Sequence, residues 1–141
     1  MPESVTSILF ICNMNSIRSP MAAALMATLA PDGIIADSAG VYSGWLDPLT
    51  ERVLGEVDIT LEDYATKRLQ DVNLDGFDLV VVMTAEAAGE VRKLLPPEKI
   101  EFWDVGNPSS ESGNFDTLLV AYRDVRDEIG EKIKQRFAHH S

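Results

Sequence analysis

The sequence predicts an α/β fold, a three-layer sandwich in which a four-stranded parallel sheet carries helices on both faces, and three observations support it. Apolar runs with strand character alternate with helical stretches along the chain, the pattern that produces parallel strands joined by right-handed crossovers. Phe77 to Met83 is an apolar run typical of a strand buried on both faces. Near the end, Leu118, Tyr122, Val125, Ile129, Ile133 and Phe137 recur at spacings of three and four, which is the core stripe of one long amphipathic helix. At 141 residues and 45% hydrophobic content, residues 1–141 form one domain able to bury a single core without staples.

The elements follow in order. Ile8-Leu9-Phe10-Ile11 is a strand that ends at Cys12, and a tight loop leads to Ser19-Pro20, which opens a helix carrying Met21, Leu25, Met26 and Leu29. Pro31-Asp32-Gly33 stops that helix. Ile34 to Ser38 reads as a short second strand, and Gly40 to Trp45 as a flexible loop into a helix over about Asp47 to Val57. A further helical piece is expected from Leu61 to Leu69, capped by Asp58 or Thr60, with Lys67-Arg68 on its solvated face. After the strand at Phe77 to Met83, a helix runs from Ala85 to Leu95 and is stopped by Pro96-Pro97. Ile100 to Val105 is the fourth strand, and the loop Gly106 to Asn114 precedes the last helix. His139 and His140 lie in a polar tail, expected to be an unfolded end rather than a metal site.

Composition excludes several function classes. A net charge of -11 argues against nucleic acid or an anionic membrane as a partner, because both demand a basic face. No apolar run approaches the ~20 residues that span a bilayer, and Met1-Pro2-Glu3-Ser4 does not begin a signal segment, so a cytoplasmic location is expected. The single cysteine excludes an internal disulfide and a multi-cysteine metal site, and fits a reducing compartment.

The chemistry gathers in the loop after the first strand. If its backbone N–H groups, those of Asn13, Met14, Asn15, Ser16 and Ile17, point inward, and the following helix directs its positive end to the same spot, the loop is an anion cradle. Cys12 at its floor would meet the helix dipole, Arg18 and the Ser19 hydroxyl, all of which favour thiolate over thiol. A thiolate beneath a bound phosphate is a nucleophile aimed at phosphorus. Arg18 can hold two phosphate oxygens in a bidentate fork, which a lysine point charge does less well. A buried strand-end cysteine with an unrelated surface arginine is the plainer alternative, and it is the strand, loop and helix around the pair that favour the cradle.

Cys12, Asn15, Arg18, Ser19 and Pro20 match the C-x2-N-x2-R-S-P pattern, which resembles the signature of the low-molecular-weight protein tyrosine phosphatases, a fold shared with a class of arsenate reductases. Asp37-Ser38-Ala39-Gly40, Asp47-Pro48 and Phe77-Asp78-Leu79-Val80 with Met83 resemble that family's later segments, so the likeness covers nearly the whole chain. It implies strand order 2-1-3-4, which places Cys12 at the switch point of the sheet, where such folds bind ligands. It also implies Cys12 as nucleophile, Arg18 and Ser19 as its partners, and Asn15 and Ser38 as loop braces.

The sequence departs from that pattern in three places. Met14 stands where the family usually has glycine, Ile17 where many members carry a second cysteine, and Asn107-Pro108 where an Asp-Pro general acid is expected, followed by Ser109 and Ser110 in place of aromatics. Asp104, three residues before Asn107, is the nearest carboxylate and is read as either the catalytic acid or a local backbone acceptor. Trp45 suits two roles, loop packing or an aromatic wall of the substrate site. The resemblance implies a cysteine-dependent phosphomonoesterase acting on a phosphorylated protein or small aryl phosphate through a phosphocysteine, with no metal or other cofactor. The alternatives are an arsenate reductase-like protein and a catalytically weak phosphate or phosphoprotein binder.

Overall fold

A computed structural model describes residues 5–14, 17–29, 33–42, 44–61, 65–108 and 113–137. Four strands, β1 (Ser7–Cys12), β2 (Ile35–Gly40), β3 (Leu79–Val82) and β4 (Ile100–Phe102), form one parallel sheet in the order β2-β1-β3-β4. The helices are α1 (Arg18–Leu29), α2 (Pro48–Gly55), α3 (Ala85–Arg92) and α4 (Phe115–Arg136).

Side chains of β1 alternate between two cores, as the period of a strand requires. Ile8 and Phe10, with Leu79 and Val81, face a layer built from Met21, Leu25 and Met26 of α1, Val53 and Leu54 of α2, and the α4 stripe Tyr122, Val125, Ile129 and Ile133. Leu9 and Ile11, with Val80 and Val82, face Ala87, Ala88 and Val91 of α3, and Leu69. Both faces of the central strands are therefore dry, which is why their sequences are continuously apolar. Among the described residues no helix is long and apolar enough to cross a membrane.

Several expected boundaries move, each for a local reason. β2 runs to Gly40 rather than Ser38, because its ladder with β1 continues to the Cys12–Gly40 pair. β4 stops at Phe102, although the Trp103 N–H still reaches Val82 O at 2.9 Å; Val105, expected as strand, is buried outside the ladder. α1 begins at Arg18, so Pro20 takes the third helical position, where its missing N–H would have had no intrahelical partner anyway.

The expected helix over Leu61 to Leu69 is not formed. Residues 62–64 lie outside the described residues, 65–67 have no regular structure, Arg68 bridges to Gly40, and a short 3-10 turn covers Leu69–Asp71. Tertiary pairing overrides a modest helical preference here, since Lys67 O accepts the Gly40 N–H at 2.9 Å and Lys67 Nζ meets Asp37 at 2.9 Å. Asp58 caps no helix start. It ends α2 in the left-handed region (φ 66°), a conformation Asp tolerates better than most residues, and the Ile59 N–H then bonds Leu54 O.

A charged clamp joins α2 to α4. Arg123 grips both oxygens of Glu56, at 2.6 Å for the shortest contact, and Arg126 Nη1 reaches Glu56 at 2.9 Å and Val53 O at 2.8 Å. The hydrogen bonds from Arg123 are the main reason the Glu56 carboxyl is lowered from 4.5 to about 2. A depressed carboxyl contributes stability above its unfolded value that is lost as pH falls through its folded one. Glu56→Gln should therefore lower the melting temperature at pH 7 by a few degrees at most, because exposed ion pairs contribute little. The difference from wild type should shrink in melting scans taken from pH 4.5 down towards 2. A constant difference across that range would show that the Glu56 charge is not what couples α2 to α4.

Candidate active site

β1 delivers Cys12 to the carboxyl edge of the sheet, between the ends of β2 and β3. Its side chain is 3% exposed, and Sγ lies 3.0 Å from the Ser19 hydroxyl on the first turn of α1. Ser19 is fully buried, and its Oγ also lies 3.2 Å from Ala39 O. One hydroxyl carries one proton, so Ser19 can give it either to the Ala39 carbonyl or to the sulfur. When Cys12 is a thiolate, only Ser19 can be the donor between them. Arg18, half-buried at the start of α1, donates from Nη1 to Val105 O at 3.0 Å. This bond docks the segment after β4 beside the phosphate loop and leaves the other guanidinium donors for an oxyanion.

Two neighbouring segments hold the beginning of the loop. The Val41 N–H bonds Cys12 O at 3.0 Å and the Tyr42 N–H bonds Asn13 O at 2.8 Å, which extends the β1–β2 pairing past the strand ends. From the other side, Thr84 caps α3 by accepting the Ala87 N–H at 3.0 Å and donates its hydroxyl proton to Asn13 Oδ1 at 2.6 Å. Tyr42 closes this ring by donating its hydroxyl to Glu86 on the first turn of α3, and that bond is the main reason its own ionisation is pushed above 10.0. Sequence reasoning missed Thr84. Its place before Ala85 signals a helix cap, but nothing local signals that the same hydroxyl reaches a residue 71 positions earlier.

The other expected site residues fall as follows. The Ile17 side chain is buried in the core beneath the loop, so only its backbone can face a ligand, and Ile17 O accepts the Met21 N–H that starts the α1 ladder. Ser38 is fully buried in β2, opposite Phe10. Asn15 and Ser16 lie outside the described residues, as do Ser109, Ser110, His139 and His140. Asp104 is exposed, one residue before the carbonyl that holds Arg18 and one after buried Trp103. Trp45 is 83% exposed, so it does not pack the loop, and Met14 and Tyr42 are each about half exposed.

Two cavities lie away from the sulfur. One of about 570 Å³ separates Gly106, Asn107 and Pro108 from α4, and one of about 340 Å³ lies between the end of α1, Val57 and Ile59, and α4. Among the described residues there is no group of three or more His, Cys, Asp or Glu side chains able to hold a metal ion.

Comparison with known proteins agrees with this geometry. Residues 7–140 match the family described as low molecular weight phosphotyrosine protein phosphatase. The arsenate reductase of Bacillus licheniformis is 31% identical over 135 residues, covering 96% of both chains. The crystal structure of an arsenate reductase from Archaeoglobus fulgidus superposes with a TM-score of 0.72 at 30% identity, covering 91% of this chain and 96% of that one. The YwlE arginine phosphatase from Geobacillus stearothermophilus superposes with a TM-score of 0.75 at 25% identity, covering 96% and 97%. With its matching strand order, its cysteine at the switch point and a family match spanning almost its full length, the chain belongs to the low molecular weight phosphotyrosine protein phosphatase family.

Proposed function

We propose that the protein is a cysteine-dependent phosphomonoesterase acting on phosphotyrosine or another aryl phosphate. The observation that carries this reading is the Cys12–Ser19 contact at 3.0 Å beside Arg18, at the end of the central strand. In the proposed reaction Cys12 Sγ attacks phosphorus, the bond from phosphorus to the leaving oxygen breaks, and that oxygen departs with a proton. Arg18 and the loop amides balance charge on the equatorial oxygens. Water then attacks the phosphocysteine, phosphate leaves, and the departing thiolate receives the Ser19 hydroxyl proton as a hydrogen bond.

The arsenate reductase reading is supported by similarity to proteins such as the arsenate reductase of Bacillus licheniformis. Reducing As(V) to As(III) takes two electrons, and thiols supply them by forming a disulfide. The sequence holds one cysteine, so the second thiol would have to come from another molecule. Purified protein offered an aryl phosphate, phosphoarginine, and arsenate with a thiol reductant separates the readings. Vanadate-sensitive turnover of the aryl phosphate is expected. Robust thioredoxin-coupled arsenate reduction with no aryl phosphate turnover would overturn the proposal.

Departure of the leaving oxygen calls for a proton donor. A positioned acid contributes about a hundredfold or more, and a carboxamide at 107 cannot supply it. Asp104 is the candidate because the adjacent Val105 carbonyl is tied to Arg18, which keeps this segment beside the loop. Asp104→Asn should slow poor leaving groups about a hundredfold while hardly changing good ones, and should remove the alkaline limb of the rate profile. If Asn107→Asp instead speeds poor leaving groups and Asp104→Asn has no effect, the wild type works without an acid. Leaving-group series on both variants decide between them.

A further inference from the structure

The brace along the phosphate loop has one contact that only glycine permits. A Cβ at Gly44 would stand 2.8 Å from the backbone carbonyl oxygen of Met14, and 3.4 and 3.5 Å from Met14 Cε and Cβ. The requirement is for space, since Gly44 does not occupy the left-handed region that favours glycine. The Met14 side chain lies at ordinary contact distance from that position, so the close approach is one of backbone alone.

We propose that Gly44 is a positioning residue for the phosphate loop, its missing side chain leaving room for the Met14 carbonyl and so for the course of the chain after Cys12. The proposal rests on the cradle described above. A methyl group at 44 cannot be accommodated by rotating a side chain, because it meets backbone oxygen. One of the two segments must shift. Segment 44 is held from behind, since the Thr66 hydroxyl donates to Gly44 O at 2.5 Å and residues 67 and 68 pair with Gly40. The displacement therefore falls on the loop that begins at Cys12, whose carbonyl and that of Asn13 are bonded to Val41 and Tyr42 of the same brace.

Gly44→Ala and two Thr66 variants test this, read by kcat/KM on an aryl phosphate and by protection of Cys12 from alkylation by inorganic phosphate. Gly44→Ala should lower kcat/KM about tenfold to a hundredfold, the scale of a small misplacement of reacting groups. Phosphate should then protect only at correspondingly higher concentration. Thr66→Val should weaken phosphate protection while Thr66→Ser retains it, a comparison that stands even if Gly44→Ala fails to fold. Gly44→Ala with unchanged phosphate protection, or Thr66→Val with protection equal to that of Thr66→Ser, would overturn the proposal. Wild type without turnover but with phosphate protection would remove the phosphatase reading and leave the positioning role to be read from protection alone. Loss of protection in the wild type would end both.

Discussion

Cys12→Ser should abolish turnover, by roughly a millionfold, the scale on which covalent enzymes lose rate when their nucleophile is removed. Serine is nearly isosteric, but its hydroxyl is barely ionised at neutral pH and it is a poor nucleophile without an adjacent base. No histidine lies within the described residues, so no imidazole there can activate it. The fold should be retained. The ladder that places residue 12 uses its backbone, through the Val41 N–H on Cys12 O and the register with Gly40, and not its sulfur. A serine hydroxyl can keep a hydrogen bond to Ser19, and the loop amides and Arg18 are untouched. Measurement of kcat, of the melting temperature and of inorganic phosphate binding should show activity lost with the other two preserved. Near-normal activity, with contaminating phosphatases excluded, would disprove the phosphocysteine mechanism.

Arg18→Lys should be the second most damaging change, costing about a hundredfold to a thousandfold in kcat, as when one preorganised donor to a developing oxyanion is lost. Arginine has two tasks here. Its fork is suited to two equatorial oxygens, while Nη1 holds Val105 O at 3.0 Å and so fixes the segment carrying Asp104. A lysine ammonium reaches less far and offers no planar pair of donors, so it can serve one of these tasks but not both. The expected signature is a fall in kcat with good and poor leaving groups alike, accompanied by weaker phosphate binding. If Arg18→Lys lowered only phosphate affinity and left kcat intact, Arg18 would be a ground-state contact rather than a group that stabilises charge in the transition state.

The parts legible in the sequence were those set by neighbours along the chain. The period of Leu118 to Phe137 gave the buried stripe of α4, the apolar run before Cys12 gave the central strand, and Cys12, Arg18 and Ser19 are close enough in sequence for one turn of loop and helix to bring them together. What could not be read was set by contacts between distant segments. Arg18 meets a carbonyl 87 residues away, and Asn13 meets a hydroxyl 71 residues away. The helix expected over Leu61 to Leu69 failed for the same reason, because Gly40 at the end of β2 draws Lys67 and Arg68 into pairing that no local propensity reveals. Gly44 reads in the sequence as one more flexible loop residue, because nothing local signals that the Met14 backbone lies against it.

The central claim, that Cys12 carries the phosphoryl group during turnover, is tested most directly by rapid quenching of the protein with an aryl phosphate in acid, followed by mass spectrometry of the peptide containing residue 12. The account predicts one phosphoryl group on Cys12 in the wild type, its accumulation in a burst of phenol release, and its absence from Cys12→Ser. Sustained turnover with no phosphoryl group on Cys12 at any quench time, or a phosphorylated residue elsewhere in the chain, would contradict it.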